Sequence, residues 1–324
     1  MRVLITGGGG FIGKKLAARL LKADGLLGRK IEQVTLFDVM PAEGVGLDPR
    51  LVIKAGDITR PGVVFDLVRP GFDVIVHLAA VVSAAAEADF DLGMAVNLDG
   101  TRYVLEAARH LGHHPRLVFA SSVAVFGGDL PDVIRDDTHL TPQTSYGAEK
   151  AASELLVADY SRKGYLDGRS LRLPTIVVRP GKPNKAASTF ASSIIREPLS
   201  GQSAVCPVSL DSRMYMLSPR RVVDAFVHAI ELPSEAFGMT RSVNLPGRTF
   251  AIGEMVQALE AVAGKNVTGR IRHEPDPLIQ KIVSGWAPSF AADRGLSMGF
   301  AADASPEEMI RQHIEDELGG RFVA

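Results

Sequence analysis

Short apolar runs punctuate the chain at Arg2–Thr6, Gln33–Asp38, Leu51–Ala55, Asp73–Leu78, Arg116–Ser121 and Leu171–Arg179. Their near-continuous Val, Ile and Leu content suits strands covered on both faces, as in a parallel sheet. Between the runs, residues 13–23, 61–69, 94–111 and 145–163 carry helical periodicity. Such alternation predicts an α/β fold of Rossmann type, a doubly wound parallel sheet with right-handed crossovers. After Arg179-Pro180-Gly181 the rhythm breaks into prolines, short helical stretches and isolated strands such as Ser242–Leu245. A smaller mixed α/β C-terminal lobe is expected there, ending in a helix with Ser305 as N-cap, Pro306 at its first position and Gly319 beyond its end. The expected division is 1–178 with 215–248 for the dinucleotide-binding domain, and 179–214 with 249–324 for the substrate lobe.

The first strand runs into Gly7-Gly8-Gly9-Gly10-Phe11-Ile12-Gly13, where it must turn into the first helix. Gly7, Gly10 and Gly13 are spaced to make the tight turn, to let backbone approach a pyrophosphate, and to pack helix on strand. The N–H groups opening that helix, around Phe11 and Ile12, then face the anion. A glycine pattern alone is weak evidence, but the strand before it and the amphipathic helix after it supply the context it needs. Asp38, ending the second strand, can accept hydrogen bonds from ribose hydroxyls and repel a 2′-phosphate, so the expected cofactor is NAD rather than NADP. Asp57 and Ile58 after the third strand are placed to meet the adenine. Leu78, Ala79 and Ala80 after the fourth are small enough to let the cofactor pass. His77 reads as a core histidine, and Asn97 as either a structural residue or part of a proton relay.

Tyr146 and Lys150 are one helical turn apart and share a face. A free tyrosine ionises near ~10, and lowering that by about three units needs roughly 4 kcal/mol. One cation at ~4 Å in an effective dielectric of ~20 supplies that much. Ser121-Ser122 close the fifth strand, at the carboxyl end of the parallel strands where open α/β folds hold ligands, so Ser122 can orient a reacting oxygen while Tyr146 exchanges its proton.

Together, the glycine turn, His77-Leu-Ala-Ala80, Asn97, Ser122-Val-Ala-Val-Phe-Gly127 and Tyr146-x-x-x-Lys150 resemble the extended short-chain dehydrogenase/reductase superfamily, the NAD-dependent epimerase/dehydratases. The resemblance covers essentially the whole chain. It implies an enzyme with Ser122, Tyr146 and Lys150 as catalytic residues, and a homodimer built through the helices near 94–111 and 145–163. Val123-Ala124 stands where dehydratases carry an Asp-Glu pair, which argues against dehydration. Arg213 aligns with an arginine that nucleotide-sugar enzymes place on a diphosphate, but the preceding Val208–Ser212 departs from their pattern.

The stretch from Arg172 through Asn184 to Leu199, with Gly285–Pro288 and His313–Gly319, resembles a branch of that superfamily that oxidises C2 of the four-carbon sugar acid D-erythronate to 2-oxo-tetronate with NAD. That branch implies a small-molecule sugar acid as substrate, with Lys182, Asn184 and Arg213 as candidates for its carboxylate; Arg213 has the bidentate geometry. A nucleotide-sugar 4-epimerase holding NAD tightly and a non-catalytic NAD-sensing protein are the alternatives.

Composition excludes several other classes. The 36 Lys and Arg against 37 Asp and Glu give no basic surface for nucleic acid or anionic membrane. The single cysteine, Cys206, leaves neither a disulfide framework nor a thiolate metal site. No apolar stretch approaches the ~18 residues of a membrane span, and Val3-Leu4-Ile5 is too short for a signal peptide. A cytoplasmic enzyme without metal is expected.

Overall fold

The structure, a computed structural model, describes residues 1–23, 25–181 and 187–324. Twelve strands are present among them: β1 (Arg2–Thr6), β2 (Gln33–Asp38), β3 (Leu51–Ala55), β4 (Val74–His77), β5 (Arg116–Ser122), β6 (Asp167–Leu173), β7 (Thr175–Ile176), β8 (Ala204–Cys206), β9 (Arg213–Leu217), β10 (Ser242–Asn244), β11 (Arg248–Ala251) and β12 (Ile271–His273). The chain divides into two compact units. The first holds Met1–Val125, Pro142–Arg172 and Val223–Asn244; the second holds Phe126–Thr141, Leu173–Val222 and Leu245–Ala324.

In the first unit, seven strands form one sheet in the order β10-β6-β5-β4-β1-β2-β3. The β1–β2, β2–β3, β1–β4, β4–β5 and β6–β10 pairs are parallel, giving the Rossmann arrangement expected from the alternating pattern. Leu4, Phe37, Ile75, Leu117 and Phe119 of the strands pack with Val64, Leu67, Val104 and Leu105 of the covering helices. Burial on this scale, at about 25 cal/mol per Å² of apolar surface, is what holds helices to a sheet. Those helices are α1 (Phe11–Lys22), α2 (Pro61–Val68), α3 (Ser83–Ala88), α4 (Phe90–Gly93), α5 (Gly100–Arg109) and α6 (Ser145–Arg162). A π-helical stretch, Met94–Asp99, joins α4 to α5.

Two expectations shift. The apolar run 171–179 is not one strand: β6 begins earlier, at the polar Asp167, and ends at Leu173, because Pro174 cannot donate to a ladder. Thr175–Ile176 then pairs with β9 in a separate three-stranded sheet. Ser242–Asn244, read as an isolated strand although inside the expected 215–248 part of the first domain, is the seventh strand of the large sheet, paired with β6.

The second unit is mixed α/β, with sheets β11-β9-β7 and β12-β8. Val177, Met214 and Met216 pack there against Ile194, Ile195, Leu259 and Ile310. The final helix runs Pro306–Leu318, with the Ser305 hydroxyl accepting from the Glu308 N–H and Gly319 at φ +60°, the cap and stop that the sequence announces.

Candidate active site

The turn after β1 is set by packing. Gly7 has φ +69°, and a Cβ there would lie 2.6 Å from Ala79 N and 2.7 Å from the Leu78 carbonyl carbon. Two segments singled out in the sequence, the glycine turn and Leu78–Ala80, therefore meet backbone to backbone. Gly10 is the N-cap of α1, with no side-chain cap and no acid in the first turn. The first-turn N–H groups of Phe11, Ile12 and Gly13 are thus left to an outside acceptor. Asp38 spans the same turn: Gly9 N donates to its Oδ2 at 2.9 Å, and Val39 N to its Oδ1 at 2.7 Å. This uncapped positive helix end with a carboxylate beside it fits a dinucleotide, whose pyrophosphate takes the N–H groups and whose ribose takes the carboxylate.

Asp57 accepts from the Thr59 N–H and hydroxyl at 2.9 and 2.7 Å, and these bonds hold its carboxyl below the usual range. The Ile58 side chain is buried in the core of the first unit. His77 is the core histidine expected, with Nδ1 2.6 Å from Thr6 Oγ1 and Nε2 2.9 Å from Thr101 Oγ1. Burial, then the charge of Lys150, pushes it down to about 3, so it is neutral at physiological pH.

Ser122 stands half-buried at the end of β5 and accepts from Ala124 N at 3.1 Å. Tyr146 and Lys150 occupy the first two turns of α6, whose N-cap Thr144 accepts from Gly147 N. Helix and loop are locked at Gly147: a Cβ there would overlap the Ala124 carbonyl oxygen and lie 2.9 Å from Pro142 Cβ. The position of Tyr146 is thus tied to the loop that follows Ser122. Lys150 is buried and donates to Ala120 O at 2.8 Å, with its Nζ 4.6 Å from the Phe119 ring centroid and 5.6 Å from that of Tyr146. Desolvation pulls its amine down to about 7, against the upward pull of Glu149 and Glu154. A cation of this kind beside a phenol, at the carboxyl edge of a parallel sheet, is suited to moving a proton to or from a bound alcohol.

The glycine turn, Asp38, Leu78–Ala80, Asn97, Ser122, Tyr146 and Lys150 all belong to the first unit. Arg213 is exposed at the start of β9 in the second, while Lys182 and Asn184 lie outside the described residues. Two buried neighbours, Glu149 and Glu154, are not marked out by the sequence, whereas Asn97 is. Asn97 is a clamp: its Oδ1 accepts from Val81 N at 2.9 Å, and its Nδ2 donates to Glu149 Oε2 at 2.6 Å. Glu149 is itself buried, and so is Glu154, which takes Arg172 in a bidentate pair and the Ser121 hydroxyl. In sequence, a glutamate on a helix beside a lysine reads as a solvated face.

The NAD dependent epimerase/dehydratase family model matches residues 3–245, and the chain belongs to that family. It is an NAD-dependent oxidoreductase acting on a CH–OH group. Across 321 residues it is 51% identical to the D-erythronate dehydrogenase of Cupriavidus necator, covering 98% of each chain. It is 43% identical over 318 residues to that of Haemophilus influenzae, covering 98% of this chain and all of the other. Among solved structures, a nucleoside-diphosphate-sugar epimerase from Agrobacterium tumefaciens superposes with a TM-score of 0.94 at 48% identity, covering 99% of this chain and 95% of that one. Among the described residues, no helix is long and apolar enough to cross a membrane.

Proposed function

We propose that this chain oxidises the C2 hydroxyl of D-erythronate, giving 2-oxo-tetronate and NADH. The observation that carries the chemistry is the buried Lys150 amine, 5.6 Å from the Tyr146 ring and held on Ala120 O beside Ser122. The two relatives with D-erythronate in their names carry the substrate. Tyr146 takes the hydroxyl proton, Lys150 stabilises the resulting phenolate, and Ser122 donates to the substrate oxygen and fixes its direction. Bound NAD supplies the acceptor for the hydride leaving C2.

The residues that would hold the cofactor are Gly7, Gly10, Phe11, Ile12 and Gly13 at the pyrophosphate and Asp38 at the ribose. Backbone at Asp57 and Ile58 would line the adenine, Leu78, Ala79 and Ala80 the nicotinamide side, and Asn97 would brace that loop through Val81. Lys182, Asn184 and Arg213 are the candidates for the substrate carboxylate, in a lobe formed by 179–214 and 249–324. The partner proposed is a second copy of the chain, through the helices near 94–111 and 145–163, the latter bearing Leu155, an apolar side chain that is 70% exposed. A cytoplasmic location belongs to the same reading.

Mixing the protein with NAD⁺ and D-erythronate is expected to produce NADH in many-fold excess over enzyme, with weaker turnover of the other four-carbon aldonates. A second reading, sugar-nucleotide epimerisation, is favoured by the Agrobacterium structure. It regenerates its cofactor in each cycle, so interconversion of nucleotide sugars without net NADH, and no response to any aldonate, would replace the first reading. Asp38→Asn probes the cofactor assignment. A carboxylate ~4 Å from a phosphate costs on the order of 4 kcal/mol at an effective dielectric of ~20. Its removal is expected to narrow the NAD⁺ over NADP⁺ preference, read as the ratio of kcat/KM values, by at least about tenfold.

A further inference from the structure

Glu149 is 2% exposed, yet among the described residues no basic side chain is bonded to it. Its Oε2 takes only the neutral amide of Asn97, and its Oε1 has no hydrogen-bond partner among the described residues. A buried carboxylate with an idle oxygen and no guanidinium or ammonium in contact is costly. The neighbouring Glu154 is different, since Arg172 neutralises it through two nitrogens at 2.7–3.1 Å. The charge of Glu149 is therefore the one left over, and the next residue along α6 is Lys150, whose ammonium, among the described residues, is held by a backbone carbonyl and lies beside two rings.

We propose that Glu149 is a positioning residue for Lys150: its carboxylate, anchored by Asn97, supplies the counter-charge that keeps the buried amine an ammonium. The anchor is built for this. A π-helical stretch, of the kind that recurs at functional sites, carries Asn97 between the Val81 backbone and Glu149. One amide thus ties the loop after β4 to the helix carrying Tyr146 and Lys150. The groups in contact with the Lys150 amine are Ala120 O and Phe119 from β5 and the Tyr146 ring on α6; Glu149 on α6, Glu154 paired with Arg172 of β6, and neutral His77 of β4 lie within reach of its charge. Burial lowers the amine towards neutrality, and Glu149 is the stronger of the two carboxylates opposing it. Removing that charge must lower the amine further, so ammonium is lost at a lower pH.

The inference rests on the catalytic role proposed for Lys150, but its test does not need turnover. The full chain is labelled with ¹³Cε-lysine, and the Lys150 resonance, assigned by its absence from Lys150→Arg, is titrated in the parent and in Glu149→Gln. The midpoint is expected to fall by about one unit in Glu149→Gln, a tenfold loss of ammonium at fixed pH. The decline of kcat/KM with rising pH is expected to begin correspondingly lower. An unchanged midpoint overturns the proposal, whatever the effect on rate. Glu149→Asp, which keeps the charge, is expected to titrate within about 0.3 units of the parent; a fall of one unit there also overturns it, and this arm decides if the glutamine variant does not fold. A parent whose Lys150 titrates as expected but which turns over no aldonate defeats the proposed function and leaves the Glu149 assignment standing.

Discussion

Tyr146→Phe is expected to cut the rate of NADH formation by about 10³-fold while leaving NAD⁺ affinity within about twofold. That factor lies inside the 10²–10⁴ that a positioned proton-transfer group contributes. The substitution removes one oxygen and keeps the ring that lies 5.6 Å from the Lys150 ammonium, so the cation keeps its aromatic neighbour and α6 its packing. The glycine turn and Asp38, proposed to bind the dinucleotide, belong to other elements and are untouched. Steady-state absorbance at 340 nm and calorimetric titration with NAD⁺ separate the two effects. A variant within tenfold of the parent rate would remove Tyr146 from the reaction, and one that no longer bound NAD⁺ would make the tyrosine a structural element of the cofactor site.

Much of this arrangement was readable because it follows local rules. Strands buried on both faces leave continuous apolar runs, a strand-to-helix turn under a phosphate needs glycine, and Tyr146 and Lys150 share a helical face by their spacing alone. Where strands depart from those rules, the reading slipped. Asp167 and Arg169 open β6 although both are charged, because the charges cancel among themselves at one end of the sheet. Ser242–Asn244 is too short to show which sheet it joins. The supporting polar groups were hidden for a different reason. Asn97 and Glu149 are 52 residues apart, and Glu154 and Arg172 are 18 apart, so nothing short of the tertiary fold brings them together. Charge on a helix predicts solvent, and only burial shows that Glu149 faces inward.

The largest loss of stability is expected from Asp167→Asn. Three arginines converge on this one carboxylate: Arg169 at 2.5 Å, Arg116 at 3.4 Å, and Arg241, which also donates to Gly168 O. The Arg169 side chain is wholly buried and donates to the carbonyls of Ala229, Ile230 and Leu232 at the end of the helix Pro219–Glu231. It cannot swing out to water when its counter-charge goes. Removing one member of a buried ionic cluster costs about 3–5 kcal/mol, and the lower end applies because Asp167 is still 17% exposed. About 3 kcal/mol corresponds to a fall in Tm of roughly 4 °C, at an unfolding entropy of about 2.1 cal/mol/K per residue over the chain. The pH dependence fixes the cause. Burial alone would raise the Asp167 carboxyl, but the hydrogen bond and charge of Arg169, with Ser234 and Arg241, outweigh it and hold it below the usual range. A lowered folded value means the stabilisation is fully present above the unfolded carboxylate pKa of about 3.9 and is lost as pH falls through the folded value. Urea unfolding of parent and variant should therefore differ by a constant amount above about pH 5 and converge below pH 4. A gap that stays the same into acid would mean that Asn fails by shape, and that the three guanidiniums do not depend on the charge between them.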